Sequence, residues 1–228
     1  FYDQWYLSDA NILPVWNDYT GKGVNVGVFE IGLMDVTHSD LVDNLSQETI
    51  DTANDDLIDG HATLVTGVIA AAKNDQGSVG VAYDATISGH SFGGDDLAVE
   101  NLAEVITNFQ DYDVVNNSWG VPQPFSVSLD AGNPYELAAA NGRDGLGTVI
   151  VTAAGNERQS GDDANAHALY NNRFTISVGA INKNADLSSL EIQQDPFSNP
   201  GSNILISAPG SNITSTSILL ENSNGSVF

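Results

Sequence analysis

The stretch "VNVGVFEIGLMDVTHSDL", residues 24–41, joins an apolar run to a group of polar residues. Residues 24–29 are mostly apolar, which is typical of a parallel strand that is covered on both faces. Glu30 follows this run directly, and a short path leads on to His38 and Asp40. A carboxylate at the end of a buried strand marks this stretch as a candidate site.

Five further short runs share this apolar character: residues 85–92, 113–118, 148–153, 174–180 and 203–208. Helical patterns lie between the strand candidates, at residues 8–19, 61–74, 95–109 and 134–145. The first of these patterns begins with a cap signal at Ser8 and Asp9. The alternation predicts an α/β fold with a doubly wound, mostly parallel sheet and helices on both faces, in which sites form where strands end.

The composition narrows the possible functions. The 228 residues include 30 acids and 6 bases, and the net charge of −24 disfavours nucleic acid and anionic membranes as partners. The chain has no Cys, which excludes disulfides and thiolate metal sites, and no run of about 18 apolar residues that could span a bilayer. The lack of Cys and the opening at Phe1, which is typical of a processed mature chain, predict a secreted, extracellular protein.

Four features lie at predicted strand ends or helix starts. They are Glu30, His61 in "DGHATLVTG", the segment "NNSWG" at 116–120 and the segment "TAAGNE" at 152–157. Each has an ordinary structural interpretation when taken alone: a helix cap for Glu30 or His61, a packed aromatic, or a tight turn. Their order and spacing along the chain indicate a common site.

In this order the segments resemble the subtilisin-like serine proteases, and the N-terminal part is most similar to the kexin/furin branch. The block "DGHATLVTGVIAA" is similar to the family pattern H-G-T-x-V-A-G-x-x-A-A around the catalytic His. Three further blocks match the family in sequence order: "VVNNSWG", "VTAAGN" and "FSNPGSNILISAPGSNITST". The resemblance covers roughly residues 4–217, and it implies the hydrolysis of peptide bonds in peptide or protein substrates.

The resemblance assigns roles to individual residues. His61 would be the general base, because imidazole titrates near neutral pH, and Glu30 stands where the family's orienting Asp belongs. Asn156 would donate a hydrogen bond to the oxyanion. Ser118, Trp119 and Gly120 would line the cleft that binds an extended peptide. Asp35 competes with Glu30 as the acid, but Glu30 is preferred because Asp35 lies beyond the strand end.

Calcium is the cofactor that the resemblance implies. Asp40 in "HSDL" corresponds to a calcium ligand of the family, and residues 73–79, "KNDQGSV", resemble the loop that supplies the other ligands. Asn74 and Asp75 offer side-chain oxygens and the loop offers carbonyls, the hard ligands that Ca²⁺ prefers. The alternative is that Asp40 only caps a turn.

The sequence departs from the family most clearly at the nucleophile. The block G-T-S-x-A-x-P does not occur, and Ser217, Ser223 and Ser226 lie outside any such motif. We therefore expect residues 1–228 to form a single catalytic domain that is incomplete at its C-terminus and inactive alone. A companion C-terminal fragment would carry the nucleophile. An inactive pseudoprotease or peptide-binding module is the alternative, and the absence of G-x-G-x-x-G after the first strand disfavours a nucleotide-binding protein.

The specificity residues of the kexin/furin branch are also altered. Its acids select Arg or Lys, but Gln123, His167 and Asn199 stand near three of the expected acids, and only Asp162 is kept. Cleavage after dibasic sites is therefore not implied, and a looser, apolar or mixed preference is expected.

Overall fold

A computed structural model describes residues 3–91, 106–120, 134–169, 171–184, 186 and 196–218. Six strands form one parallel sheet in the order β2-β1-β3-β4-β5-β6. They are β1 Asn25–Glu30, β2 Thr86–Ser91, β3 Val114–Asn117, β4 Val149–Ala153, β5 Thr175–Ile181 and β6 Ile204–Pro209. Each corresponds to a predicted strand, with ends that differ by at most one residue, so the parallel sheet is confirmed.

Four α-helices lie among the described residues: α1 Trp5–Asp9, α2 Gln47–Thr52, α3 Gly60–Ala70 and α4 Pro134–Gly145. Short 3-10 turns occur at Val15–Asn17, Val42–Asn44, Asp55–Leu57, Asn108–Asp111, Arg158–Ser160 and Ala164–Ala166. No helix in the described ranges is long and apolar enough to cross a membrane.

Helices α3 and α4 cover opposite faces of the sheet. Val28 of β1 packs in one apolar cluster with Ala62 of α3, whereas the next residue, Phe29, packs in a second cluster with Tyr135 of α4. Successive side chains of a strand point to opposite faces, so the two helices lie on different sides. This confirms the predicted α/β architecture with helices on both faces.

The helix predicted over residues 8–19 is wrong. Helix α1 ends at Asp9, where the cap signal placed a beginning, and Asn11 adopts a left-handed φ of 54°. Pro14 lacks a backbone N–H and disfavours helical geometry in the preceding residue, so only a 3-10 turn forms after it.

The other helical predictions have different outcomes. Helix α3 ends at Ala70, before the predicted residue 74, and the backbone N–H of Ala72 instead donates to the carbonyl of Asp40. Helix α4 has the predicted bounds, but Arg143 and Asp144 are left-handed at its end. Most of the pattern at 95–109 lies outside the described residues.

Strand β6 is an edge strand of the sheet, because β5 is the only strand that pairs with it among the described residues. Two large apolar side chains on this strand, Leu205 and Ile206, are 68% and 53% exposed. This edge of the sheet therefore presents apolar surface to the solvent.

Candidate active site

Glu30 is the last residue of β1, which lies between β2 and β3 inside the sheet. Its side chain is almost fully buried, and Oε2 lies 3.1 Å from Nδ1 of His61. The other carboxylate oxygen, Oε1, is buried and makes no hydrogen bond with any residue that the structure describes. A buried carboxylate with one strong partner is expected to hold that partner tightly, because the interaction is weakly screened.

His61 lies in the first turn of α3. Asp59 caps this helix by accepting a hydrogen bond from the Ala62 N–H at 3.0 Å, which fixes the turn that carries the imidazole. The imidazole is 56% exposed although its Glu30 partner is buried. When Nδ1–H donates to Glu30, Nε2 is left as the ring nitrogen that can accept a proton.

The surroundings of His61 raise its pKa above the ordinary value of 6.5. The hydrogen bond to Glu30 is the largest cause, burial partly opposes it, and the negative charges of Glu30 and Asp59 add to the increase. These interactions favour the protonated imidazolium, which is the form that a general base reaches after it takes a proton.

Asp35, the competing acid, is engaged elsewhere. Its Oδ1 accepts hydrogen bonds from the backbone N–H and the hydroxyl of Thr37, at 2.9 and 2.7 Å. Its own backbone N–H donates to Thr63 Oγ1 at 2.9 Å. The carboxylate that contacts His61 is therefore that of Glu30.

The other predicted site residues follow neighbouring strands. Ser118, Trp119 and Gly120 follow β3, and Asn156 follows β4 on a turn where Gly155 has a left-handed φ of 91°. Strands β1, β3 and β4 are parallel neighbours, so their carboxyl ends bring these segments and Glu30 to the same end of the sheet. No hydrogen bond within the described part of the chain links Asn156 to His61 or Glu30.

The side chains of these residues differ in access. Asn156 is exposed, and Ser118 Oγ lies 3.0 Å from Asn116 Nδ2. Trp119 is 7% exposed and packs in the same apolar cluster as Phe29. The Trp119 ring therefore belongs to the core. Only the backbone of residues 118–120 remains to line the predicted peptide-binding cleft.

Segment 215–218 lies along α3 and leads toward His61. Ser215 Oγ donates to the carbonyl of Leu64, and Thr216 Oγ1 donates to the carbonyl of Thr63, each at 2.7 Å. A Cβ built on Gly60 would lie 3.6 Å from Ile218 Cδ1. The segment therefore runs toward the start of the helix, and no local sequence signal predicted this docking.

The structure brings together two of the three predicted calcium ligands. Asp40 is buried, and it accepts hydrogen bonds from the Ser78 N–H at 3.1 Å and Asn74 Nδ2 at 3.3 Å. Gly77 has a φ of 45°, and a Cβ there would lie 2.0 Å from Asp40 Oδ2, so the loop closes tightly over this carboxylate. Asp75 is exposed and makes no hydrogen bond with Asp40 or Asn74.

Calcium prefers oxygen ligands, and Asp40 offers a carboxylate. The groups that contact this carboxylate are the N–H donors of Ser78 and Asn74, and the Asn74 amide oxygen accepts the Gln76 N–H at 3.0 Å, so the Asn74 amide would have to turn to bind calcium. Across the described ranges there is no group of three or more His, Cys, Asp or Glu side chains that could hold a metal. Gln4, which no sequence pattern singled out, is buried against the 73–79 loop. Its Oε1 accepts the Val79 N–H at 2.9 Å, and its Nε2 donates to the Val79 carbonyl at 2.8 Å.

Two of the altered specificity positions, His167 and Asn199, meet the kept Asp162 in space. His167 Nε2 lies 2.8 Å from Asp162 Oδ2, and Asn199 Nδ2 donates to the same oxygen at 3.0 Å. Gln123 lies outside the described residues.

A family model decides the classification, since the model of the subtilase family (Peptidase S8) matches residues 21–227. This chain belongs to the subtilase family. The chain is similar to kexin from Saccharomyces cerevisiae, with 33% identity over 79% of this chain and 25% of kexin. Furin-like protease 2 from Drosophila melanogaster is 31% identical over 79% of this chain and 12% of its own length. The subtilase chain therefore spans a quarter or less of these two relatives.

A solved protease structure supports the same fold for this subtilase. A protease from Pseudoalteromonas arctica PAMC 21717 superposes with a TM-score of 0.70 and 26% sequence identity. The match covers 100% of this chain and 77% of that one.

Proposed function

We propose that this chain supplies the acid, the base and the oxyanion donor of a serine endopeptidase that hydrolyses peptide or protein substrates. Residues 1–228 would form the N-terminal part of one catalytic domain. The observation that carries the proposal is the 3.1 Å contact between buried Glu30 Oε2 and Nδ1 of the exposed His61. A base that is held by a buried acid and open to solvent on its other side suits nucleophile activation.

His61 would perform both proton transfers. Glu30 keeps the proton on Nδ1, so Nε2 takes the proton of a serine hydroxyl as that oxygen attacks the peptide carbonyl. The same nitrogen then protonates the departing amine. Glu30 stabilises the imidazolium between these steps, in agreement with the raised pKa of His61.

Asn156 would stabilise the oxyanion through its side-chain amide. One such donor typically contributes about 3–4 kcal/mol to the transition state. The exposed position of Asn156 after β4 supports this role, because the amide can reach a bound substrate. The backbone of Ser118, Trp119 and Gly120 after β3 would pair with the extended peptide.

The nucleophilic serine would come from a companion segment C-terminal to the described residues, because these 228 residues contain no G-T-S-x-A-x-P block. The path of segment 215–218 along α3 supports this arrangement, since a Cβ at Gly60, beside His61, would lie 3.6 Å from Ile218 Cδ1. The cysteine-free, strongly acidic sequence further favours an extracellular protease that works where structural calcium is available.

A fluorophosphonate probe tests the proposal on the complete gene product. We expect labelling of a serine in the wild type, and loss of labelling in His61→Ala and Glu30→Gln. Asp35→Asn is the matched control, because Asp35 is a nearby carboxylate that does not contact His61, and it should label normally. If the wild-type protein cleaves no peptide and takes up no probe, but still binds peptides, the chain is a peptide-binding module and the protease proposal fails.

We also propose that calcium binds at Asp40 and Asn74 with carbonyls of the 73–79 loop. The support comes from Asp40 and Asn74, whereas Asp75 would join only if its exposed side chain turned inward. Calcium would neutralise the Asp40 carboxylate and fix the loop that packs on Gln4.

The calcium site predicts a stability change. Asp40→Asn should lower the free energy of unfolding by about 1–3 kcal/mol, which for a domain of this size lowers Tm by roughly 3–9 °C. Calcium should raise the Tm of the wild type but not of this variant. Asp43→Asn, at a neighbouring exposed carboxylate, is the control. An equal calcium response in wild type and Asp40→Asn would exclude this site.

A further inference from the structure

The turn that carries Asn156 rests on a buried polar group. Asn199 is 2% exposed, and its backbone N–H donates to the carbonyl of Gly155 at 3.0 Å. Gly155 has a φ of 91°, and a Cβ at this position would lie 2.6 Å from Asn199 Nδ2. The turn therefore packs directly on the amide of Asn199.

A second connection runs through the side chains. Asn199 Nδ2 lies 3.5 Å from Glu157 Oε2, and this same oxygen accepts the backbone N–H of Asn156 at 2.7 Å. Asn199 thus contacts the turn on both sides of Asn156, at the Gly155 carbonyl and through the Glu157 carboxylate.

The orientation of the Asn199 amide is set by charge. Its Nδ2 faces two carboxylates, Glu157 and Asp162, and the Asp162 oxygen is also held by His167 Nε2 at 2.8 Å. A flipped amide would place Oδ1 against both negative charges. The observed orientation leaves Oδ1 buried with no hydrogen-bond partner in the described part of the chain, a cost that the two carboxylates offset.

We propose that Asn199 is a positioning residue for Asn156, held in its orientation by Asp162, which is itself paired with buried His167. The inference rests on the proposed role of Asn156 as oxyanion donor. A donor acts on the developing oxyanion only when its position is fixed to within a fraction of an ångström. Displacing the turn should therefore lower kcat and leave KM nearly unchanged.

Asn199→Asp, made in the complete gene product, tests this with a side chain of the same size. The new carboxylate would oppose those of Glu157 and Asp162 and push the turn away, so we expect kcat to fall about 10²-fold, as for loss of an oxyanion donor. Asn44→Asp is the matched control, because the Asn44 amide donates to the Ala70 and Tyr83 carbonyls far from the turn. It should change Tm without lowering kcat.

A double-mutant cycle separates positioning from a general loss of structure. In an Asn156→Ala background, Asn199→Asp should cause no further loss of kcat, because the donor it positions is already gone. The same fold loss in both backgrounds, or an increase in KM alone, would overturn the inference. Full activity of Asn156→Ala itself would overturn the proposed oxyanion role, and this inference with it.

A milder substitution tests the same role in case the Asn199→Asp protein does not fold. Asn199→Ser removes Nδ2 without adding charge, and it should lower kcat about 10-fold, again only when Asn156 is present. A loss of similar size in the Asn156→Ala background would count against positioning even if Asn199→Asp proved unstable.

Discussion

Two imidazole–carboxylate pairs among the described residues are chemically alike and placed in opposite ways. In the first, buried Glu30 holds His61, whose side chain is 56% exposed. In the second, His167 is itself buried, with 2% of its side chain exposed, against Asp162 at 10%. Access to the imidazole, more than the presence of an acid, therefore distinguishes a pair that can exchange protons with a substrate from one that supports the fold.

Hydrogen bonds affect the pKa of a histidine in the first pair and of an aspartate in the second. In the first pair the hydrogen bond from Glu30 raises the pKa of His61. In the second, burial acts to raise the pKa of Asp162, but hydrogen bonds from His167, the Asp163 N–H and Asn199 outweigh it and lower the pKa below 3.8. The first pair therefore raises the pKa of a base, and the second keeps an acid in its charged form.

Replacing each histidine should show the largest contrast. His61→Ala removes the base, and we expect kcat of the complete protease to fall about 10⁴–10⁶-fold. His167→Gln keeps a donor toward Asp162, so kcat should fall at most about 10-fold while Tm decreases. Steady-state kinetics and thermal unfolding of both variants give the comparison, and comparable kcat losses would remove the distinction between the pairs.

Replacing Glu30 should give the next largest effect. Glu30→Gln should lower kcat about 10⁴-fold, because Gln does not stabilise the imidazolium. Since the hydrogen bond to Glu30 raises the pKa of His61, the acidic limb of the kcat/KM profile should move to lower pH. Glu30→Asp keeps the charge and should retain most activity. An unchanged pH profile in Glu30→Gln would mean that Glu30 does not tune His61.

The smallest expected effect is that of Asp162 on stability at acidic pH. The folded pKa of Asp162 is below its ordinary value of 3.8, so its contribution is present above pH 3.8 and is lost as pH falls through the folded pKa. Asp162→Asn should therefore lose less stability than wild type between about pH 5 and about pH 2.5. Urea unfolding across this window measures the difference, and parallel curves would contradict it.

The contribution of His61 to stability changes with pH in the opposite direction. Its folded pKa is raised above 6.5, so its contribution is complete below pH 6.5 and is lost as pH rises through the folded pKa. Solvent screens this exposed imidazole, so the effect on stability should be minor.

The parts of the molecule that local patterns describe were predictable. The apolar runs gave the strands because buried parallel strands need apolar residues on both faces. The roles of Glu30 and His61 were implied by the resemblance to the subtilisin-like proteases, because a strand end or a helix start alone has an ordinary structural interpretation. The helix at 8–19 failed because Pro14 overrides the surrounding pattern.

Contacts between distant residues carried no such signal. Asn199 and Asp162 are 37 positions apart, and Gln4 and Val79 are 75 apart, so neither pair leaves a local pattern. The exposed side chain of Asp75 was missed for a related reason. Its left-handed φ of 64° is a property of the folded loop and not of its composition.

The exposed apolar residues on edge strand β6 have a consequence for solution behaviour. Leu205 and Ile206 lie on an edge that could pair with another copy of the chain. The net charge of −24 keeps such copies apart at low ionic strength. Salt shortens the screening length to about 10 Å at 0.1 M, so self-association of this chain should rise as salt is added.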